Sequence, residues 1–170
     1  MTTSSSRVQV GALQAAWDQA TALLDLRSGS KSPDDLTPVF ERIAYATAQY
    51  GTVELERATM MLMCGALEML GAGQPNGTRF HEQFTETLLA KLSSDELAEP
   101  TDLPTVQQVV QIGFAEGDPL AWREKAGPIP ASEPRTMTCA LALIASFVDH
   151  VDGAGACERK LLTTIGHVYD

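Results

Sequence analysis

The chain reads as an all-α protein, a single domain of about seven or eight helices. Three observations predict it. Apolar residues recur at steps of three and four along almost every segment. No run alternates apolar and polar residues as a half-buried strand does. The stretches GAGQPNG and GPIPASEP, rich in glycine and proline, fall between the periodic segments.

Taken in order, the first stripe is Leu13, Ala16, Trp17, Ala20 and Leu24, preceded by a polar tail over residues 1–6 that reads as disordered. The second is Leu36, Val39, Phe40, Ile43 and Tyr50. Ser32 is the expected N-cap of that helix, with Pro33 at its first position and Asp34 and Asp35 in its first turn, where acids meet the positive end of the helix dipole. Gly51 should stop it. A third helix opens at Thr52, with Leu55, Leu62, Ala66 and Met69 on its core face. Met60, Met61, Met63 and Met69 wrap much of this helix, which points to a central buried element before it points to an adaptable partner groove. A fourth helix carries Phe80, Phe84, Leu88 and Leu92, and a fifth carries Val106, Val109, Val110 and Phe114. Asp118-Pro119 caps a short helix around Trp122 that Gly127 closes. GPIPASEP, with three prolines, reads as a linker. Met137, Leu141, Ile144, Val148 and Val151 mark a late helix, and Leu161, Ile165 and Val168 a last one.

The 170 residues are enough for one buried core, and 44% apolar with 20% charged residues excludes a disordered chain. Twelve basic side chains against twenty-two acidic ones give a net charge of −10. Such a balance opposes nucleic-acid binding, which needs Lys and Arg to replace released counterions, and opposes docking on an anionic membrane. The longest uncharged apolar stretch, Thr136 to Val148, has thirteen residues against the roughly 20 needed to span a bilayer. With no apolar signal segment at the N-terminus, a soluble cytoplasmic chain without membrane insertion is expected. Cys64, Cys139 and Cys157 are widely spaced and form no C-x-x-C pair, so neither a disulfide framework nor a thiolate zinc site is signalled.

One internal repeat stands out. Gly51 to Arg57 and Gly153 to Arg159 share Gly-x4-Glu-Arg at an offset of 102 residues. The same offset pairs Tyr45 with Phe147, Met60 with Leu162, Met63 with Ile165 and Ala66 with Val168. Each copy is an apolar helix, a glycine stop and a second apolar helix with an early glutamate. Capping alone gives two hairpins a shared Gly and Glu; a duplication gives them a shared ancestor.

The second copy, LALIASFVDHVDGAGACERKLLTTIGHVYD, resembles the tellurite-resistance TerB-like family, in which each half has an alanine-rich helix, an Asp-Gly turn and a glutamate opening the next helix. The likeness covers Phe40–Leu70 and Thr138–Val168. It implies one TerB-like domain over 7–170 with pseudo-repeat halves at about 33–95 and 103–170. Asp152, Gly153 and Glu158 match the family turn, as do Gly51 and Glu56 in the first half, where Tyr50 stands in place of the Asp. The family's proteins are helical, carry an acidic face that binds divalent cations, and act in stress response and phage defence through protein complexes. The implied metal set here is Asp149, Asp152 and Glu158, joined by Glu54 and Glu56 if the two hairpins meet, with calcium or zinc as the ion. Asp149 and Asp152 share a helix face, and His150 adjoins them; a solvated helix end accounts for the same residues without an ion.

No catalytic motif emerges. The Gly71–Thr78 stretch lacks the lysine of a phosphate-binding loop and follows no strand. His81-Glu82 lacks the second histidine of a zincin helix, and no G-x-S-x-G elbow is present. The expectation is therefore a non-enzymatic accessory protein that recruits protein partners, with a cation-responsive acidic face. The alternative is a small acidic inhibitor or immunity-type protein that meets a basic partner electrostatically.

Overall fold

Among the described residues the helical periods become eight α-helices and one short 3-10 turn. A computed structural model describes residues 7–72 and 77–169, with side chains as far as Thr163. The expected tail over 1–6, residues 73–76 of the predicted connector, and the side chains of Ile165 and Val168 lie outside the described residues. The elements are α1 (Val10–Ser28), α2 (Thr37–Tyr50), α3 (Thr52–Gly71), α4 (Gly77–Ser93), the 3-10 turn (Pro100–Asp102), α5 (Leu103–Phe114), α6 (Pro119–Lys125), α7 (Glu133–Asp152) and α8 (Ala156–Tyr169). No strand occurs among the described residues, and no single described helix is long and apolar enough to cross a membrane.

Helix α3 is the axle. It packs against α1, α5, α6 and α7, and Met60, Met63, Ala66 and Leu67 are all fully enclosed. A helix apolar on most sides has to be covered on most sides, so Met60 and Met63 belong to the core and Met61 and Met69 pack half-buried against it. Helix α7 lies beside it with Met137, Leu141, Ile144 and Val148 completely buried. Helix α1 presents Ala12, Ala16 and Ala20 to the core. These small side chains let helix axes approach closely.

Two boundaries differ from the sequence expectation. Helix α2 begins at Thr37, not at Pro33. Ser32 and Asp35 do form a reciprocal pair, Ser32 N–H donating to the Asp35 carboxylate (3.0 Å) and Asp35 N–H to the Ser32 hydroxyl (3.3 Å). That pair closes a turn only, because Pro38 has no N–H to continue a ladder begun at Pro33. Helix α7 takes its first residues, Glu133 and Pro134, from the expected linker; a proline in the first turn forgoes no intrahelical bond. The Asp118 cap is as expected, its carboxylate accepting from Leu120 N (3.0 Å) and Ala121 N (3.1 Å). Val151, read as core, is 56% exposed on the last turn of α7.

Candidate functional site

The five acids singled out in the sequence each have a local task. The α7–α8 corner turns at Gly153, which has φ 102° and ψ 158°, values open to glycine alone. Asp149, one turn before it, accepts a hydrogen bond from Cys157 N (2.9 Å) and so caps the start of α8. Asp152 is paired with Lys160. Glu158 accepts the indole N–H of Trp17 on α1 (3.1 Å). In the first half, Glu54 accepts from Gln9 N (3.1 Å) and pairs with Arg57 (2.7 Å), while Glu56 points into the core. Among the described residues no three Asp, Glu, His or Cys side chains stand where they could hold one metal ion.

Glu56 belongs to a buried polar cluster that the sequence reading missed. Glu56, Glu133, Arg123, Asp102 and Thr136 are all buried, and they tie α3, α6, α7 and the 3-10 turn together. Arg123 Nη1 donates to both oxygens of Glu133 (2.9 and 2.8 Å), and its Nη2 donates to the Gly127 carbonyl (2.8 Å). Thr136 donates to Asp102 (2.9 Å) and accepts from Glu99 N (3.0 Å). Neither carboxylate oxygen of Glu56 has a donor. Burial, followed by the hydrogen bond to Glu133 and its negative charge, pushes the Glu56 carboxyl up to about 9, with Arg123 pulling weakly the other way. Glu56 is therefore neutral at pH 7, facing the ionised Glu133 that Arg123 holds. One signal in the sequence pointed here: Glu56, Met60, Met63 and Leu67 share a single face of α3, an acid in a row of core residues.

The cluster ties α6 to α7 and α7 to the 3-10 turn. The three cysteines are buried thiols; burial pushes Cys64 and Cys157 up to about 12 and raises Cys139 as well. Thiols held protonated in this way do not act as nucleophiles near neutral pH.

A different surface is open. On α2 only Ala46 is buried, although its sequence carries an apolar stripe. Phe40 is 40% exposed, and around it Leu26 of α1 (37%) and Leu97 of the α4–α5 connection (40%) are open as well. With Leu23 and Ile43 they line a shallow cleft of about 410 Å³ between α1, α2 and the start of α7. Arg135 lines one side and donates to the Leu97 carbonyl (2.7 Å), and Arg27, paired with Asp95, reaches the Cys139 thiol of the same lining (4.0 Å). An apolar floor with a charged rim is the anatomy of a protein-contact surface. Compared with protein-family models, with curated proteins and with solved structures, the chain matches none.

Proposed function

We propose that this chain is a non-enzymatic helical accessory protein that acts by docking a protein partner on the cleft between α1, α2 and the start of α7. One observation carries the proposal: the apolar stripe read from the sequence is only partly covered by the fold, since Leu36 is buried but Phe40 stays open, with Leu26 and Leu97 exposed around the same depression. An amphipathic helix of a partner, laid along α2, buries that stripe as a neighbouring helix in the same chain would. The resemblance of the Gly153 corner to TerB-like proteins supports the same kind of action, recruitment of partners without catalysis. A bound cation has no part in this proposal, since the acids that would hold it are engaged separately.

A photo-crosslinking residue in place of Phe40, expressed in cells, tests it. The expected result is one dominant adduct whose partner, once purified, binds at least about tenfold more weakly to Leu26→Asp and Leu97→Asp, with Tm unchanged. An interface of this kind also changes little in affinity with added salt. Binding that ignores both substitutions overturns the surface, and binding abolished by moderate salt favours the electrostatic alternative of an acidic protein meeting a basic partner.

A further inference from the structure

A second cleft, between α4 and the C-terminal half of α7, is built differently from the first. Phe80, Phe84 and Phe147 line it, and Phe114 of α5 packs behind the first two. Phe84 meets Phe147 edge-on with centroids 5.0 Å apart, Phe80 stacks on Phe84 at 6.0 Å, and Phe114 closes edge-on against both from α5. Rings that fix one another form a wall already in its binding shape, so little ordering is lost when a ligand settles on it. The cleft holds about 450 Å³, inside the roughly 300–1,000 Å³ typical of small-molecule sites.

Its charged lining is basic, although the chain as a whole is acidic. The chain has twenty-two acids and twelve bases, yet no Asp or Glu lines this cleft, while Lys91 of α4 and His150 of α7 do. Both are exposed, and neither has an ion-pair partner among the described residues. Most other cations of the chain are already bonded, Arg27, Arg42, Arg57, Arg123 and Lys160 among them. Phe80, Phe84, Leu88 and Lys91 follow one another along a single face of α4, so an apolar floor runs directly to an ammonium group.

We infer that this cleft binds a small amphipathic anion, a medium-chain carboxylate whose hydrocarbon lies on the phenylalanines and whose head meets Lys91. The site is separate from the partner-docking cleft, and it stands or falls independently of it. Calorimetric titration of the full chain with hexanoate, octanoate, decanoate and decanol tests the assignment. Carboxylate affinity should rise about threefold to fourfold per added methylene. Ser146→Trp, which fills the cleft from its exposed edge, should weaken decanoate at least about tenfold. Lys91→Glu should weaken decanoate about fivefold and leave decanol unchanged, the effect of one exposed charge contact. The Lys91 change is confined to an exposed side chain, so it remains informative if the tryptophan variant misfolds. No saturable decanoate binding, equal sensitivity of decanol to Lys91→Glu, or a dimer in sedimentation that Ser146→Trp dissociates would each overturn the inference.

Discussion

At Gly51 the chain turns with φ 84° and ψ 160°, and at Gly153 with φ 102° and ψ 158°. In both places the glycine amide donates to the carbonyl four residues back, to Thr47 (2.9 Å) and to Asp149 (2.8 Å). The corners are the same backbone device. The helices beyond them begin differently. Helix α3 starts at the next residue, Thr52, whereas α8 starts three residues on, at Ala156. Glu56 and Glu158 lie equally far past their glycines but two residues out of phase within their helices, a rotation of about 200°. One glutamate is thereby turned into the core beside Glu133, and the other onto the surface beside Trp17. Equal spacing in sequence fixes a corner; where the next helix starts fixes the face its side chains take.

The widest separation between the two corners comes from removing a cation on each side. Arg123→Ala strips the guanidinium from a carboxylate that is 1% exposed, and losing one member of such a buried pair costs about 3–5 kcal/mol. On a chain of this size Tm should fall on the order of 10 °C by calorimetry. Lys160→Ala breaks the exposed pair with Asp152 and should cost less than about 1 kcal/mol. Comparable losses in the two variants would mean that the cluster around Glu133 is not buried as described.

A pH series sharpens the same contrast. The Glu56 carboxyl titrates at about 9 when folded against its ordinary 4.5. Between these values the folded chain holds a proton that the unfolded chain has released, so stability is greatest on the acid side and is lost as pH rises. The slope from this one group is about 1.4 kcal/mol per pH unit. Glu56→Gln keeps a donor toward Glu133 and cannot ionise, so urea melts from pH 5 to 8 should lose this slope. Glu158→Gln should leave the slope as it is in the parent chain. Parallel curves for the parent and Glu56→Gln would show that Glu56 is ionised in the fold.

The helices themselves were legible because burial imposes a period on each. Asp118-Pro119, Leu13 with Trp17, and Met137 through Val148 all behave as their spacing says. The start of α2 was not legible from Ser32 and Asp35 alone, since their reciprocal hydrogen bonds look the same in a turn as at a helix start, and Pro38 decides between them. The buried cluster was harder to see. Arg123 and Glu133 sit on either side of a proline-rich connection, and only the packing of α6 against α3, with α7 alongside, brings them to Glu56. The stripe on α2 was legible as apolar, but a sequence records that a face wants cover and not whether its own chain supplies it.

The glycines provide the narrowest test of the comparison, because it asks for equality and not for difference. A Cβ at Gly51 or at Gly153 meets nothing within 4 Å, so neither position is held to glycine by crowding. Both lie at positive φ with extended ψ, a region closed to residues with a side chain at about 1–3 kcal/mol each. Gly51→Ala and Gly153→Ala should therefore destabilise by the same amount within about 0.5 kcal/mol in denaturant melts, although one corner joins the central helix and the other a peripheral one. Equal losses mean the corner is a backbone unit used twice and indifferent to its surroundings. If Gly153→Ala is silent while Gly51→Ala is costly, the second corner can relax through Ala154 and Gly155, and the repeat is one of sequence alone.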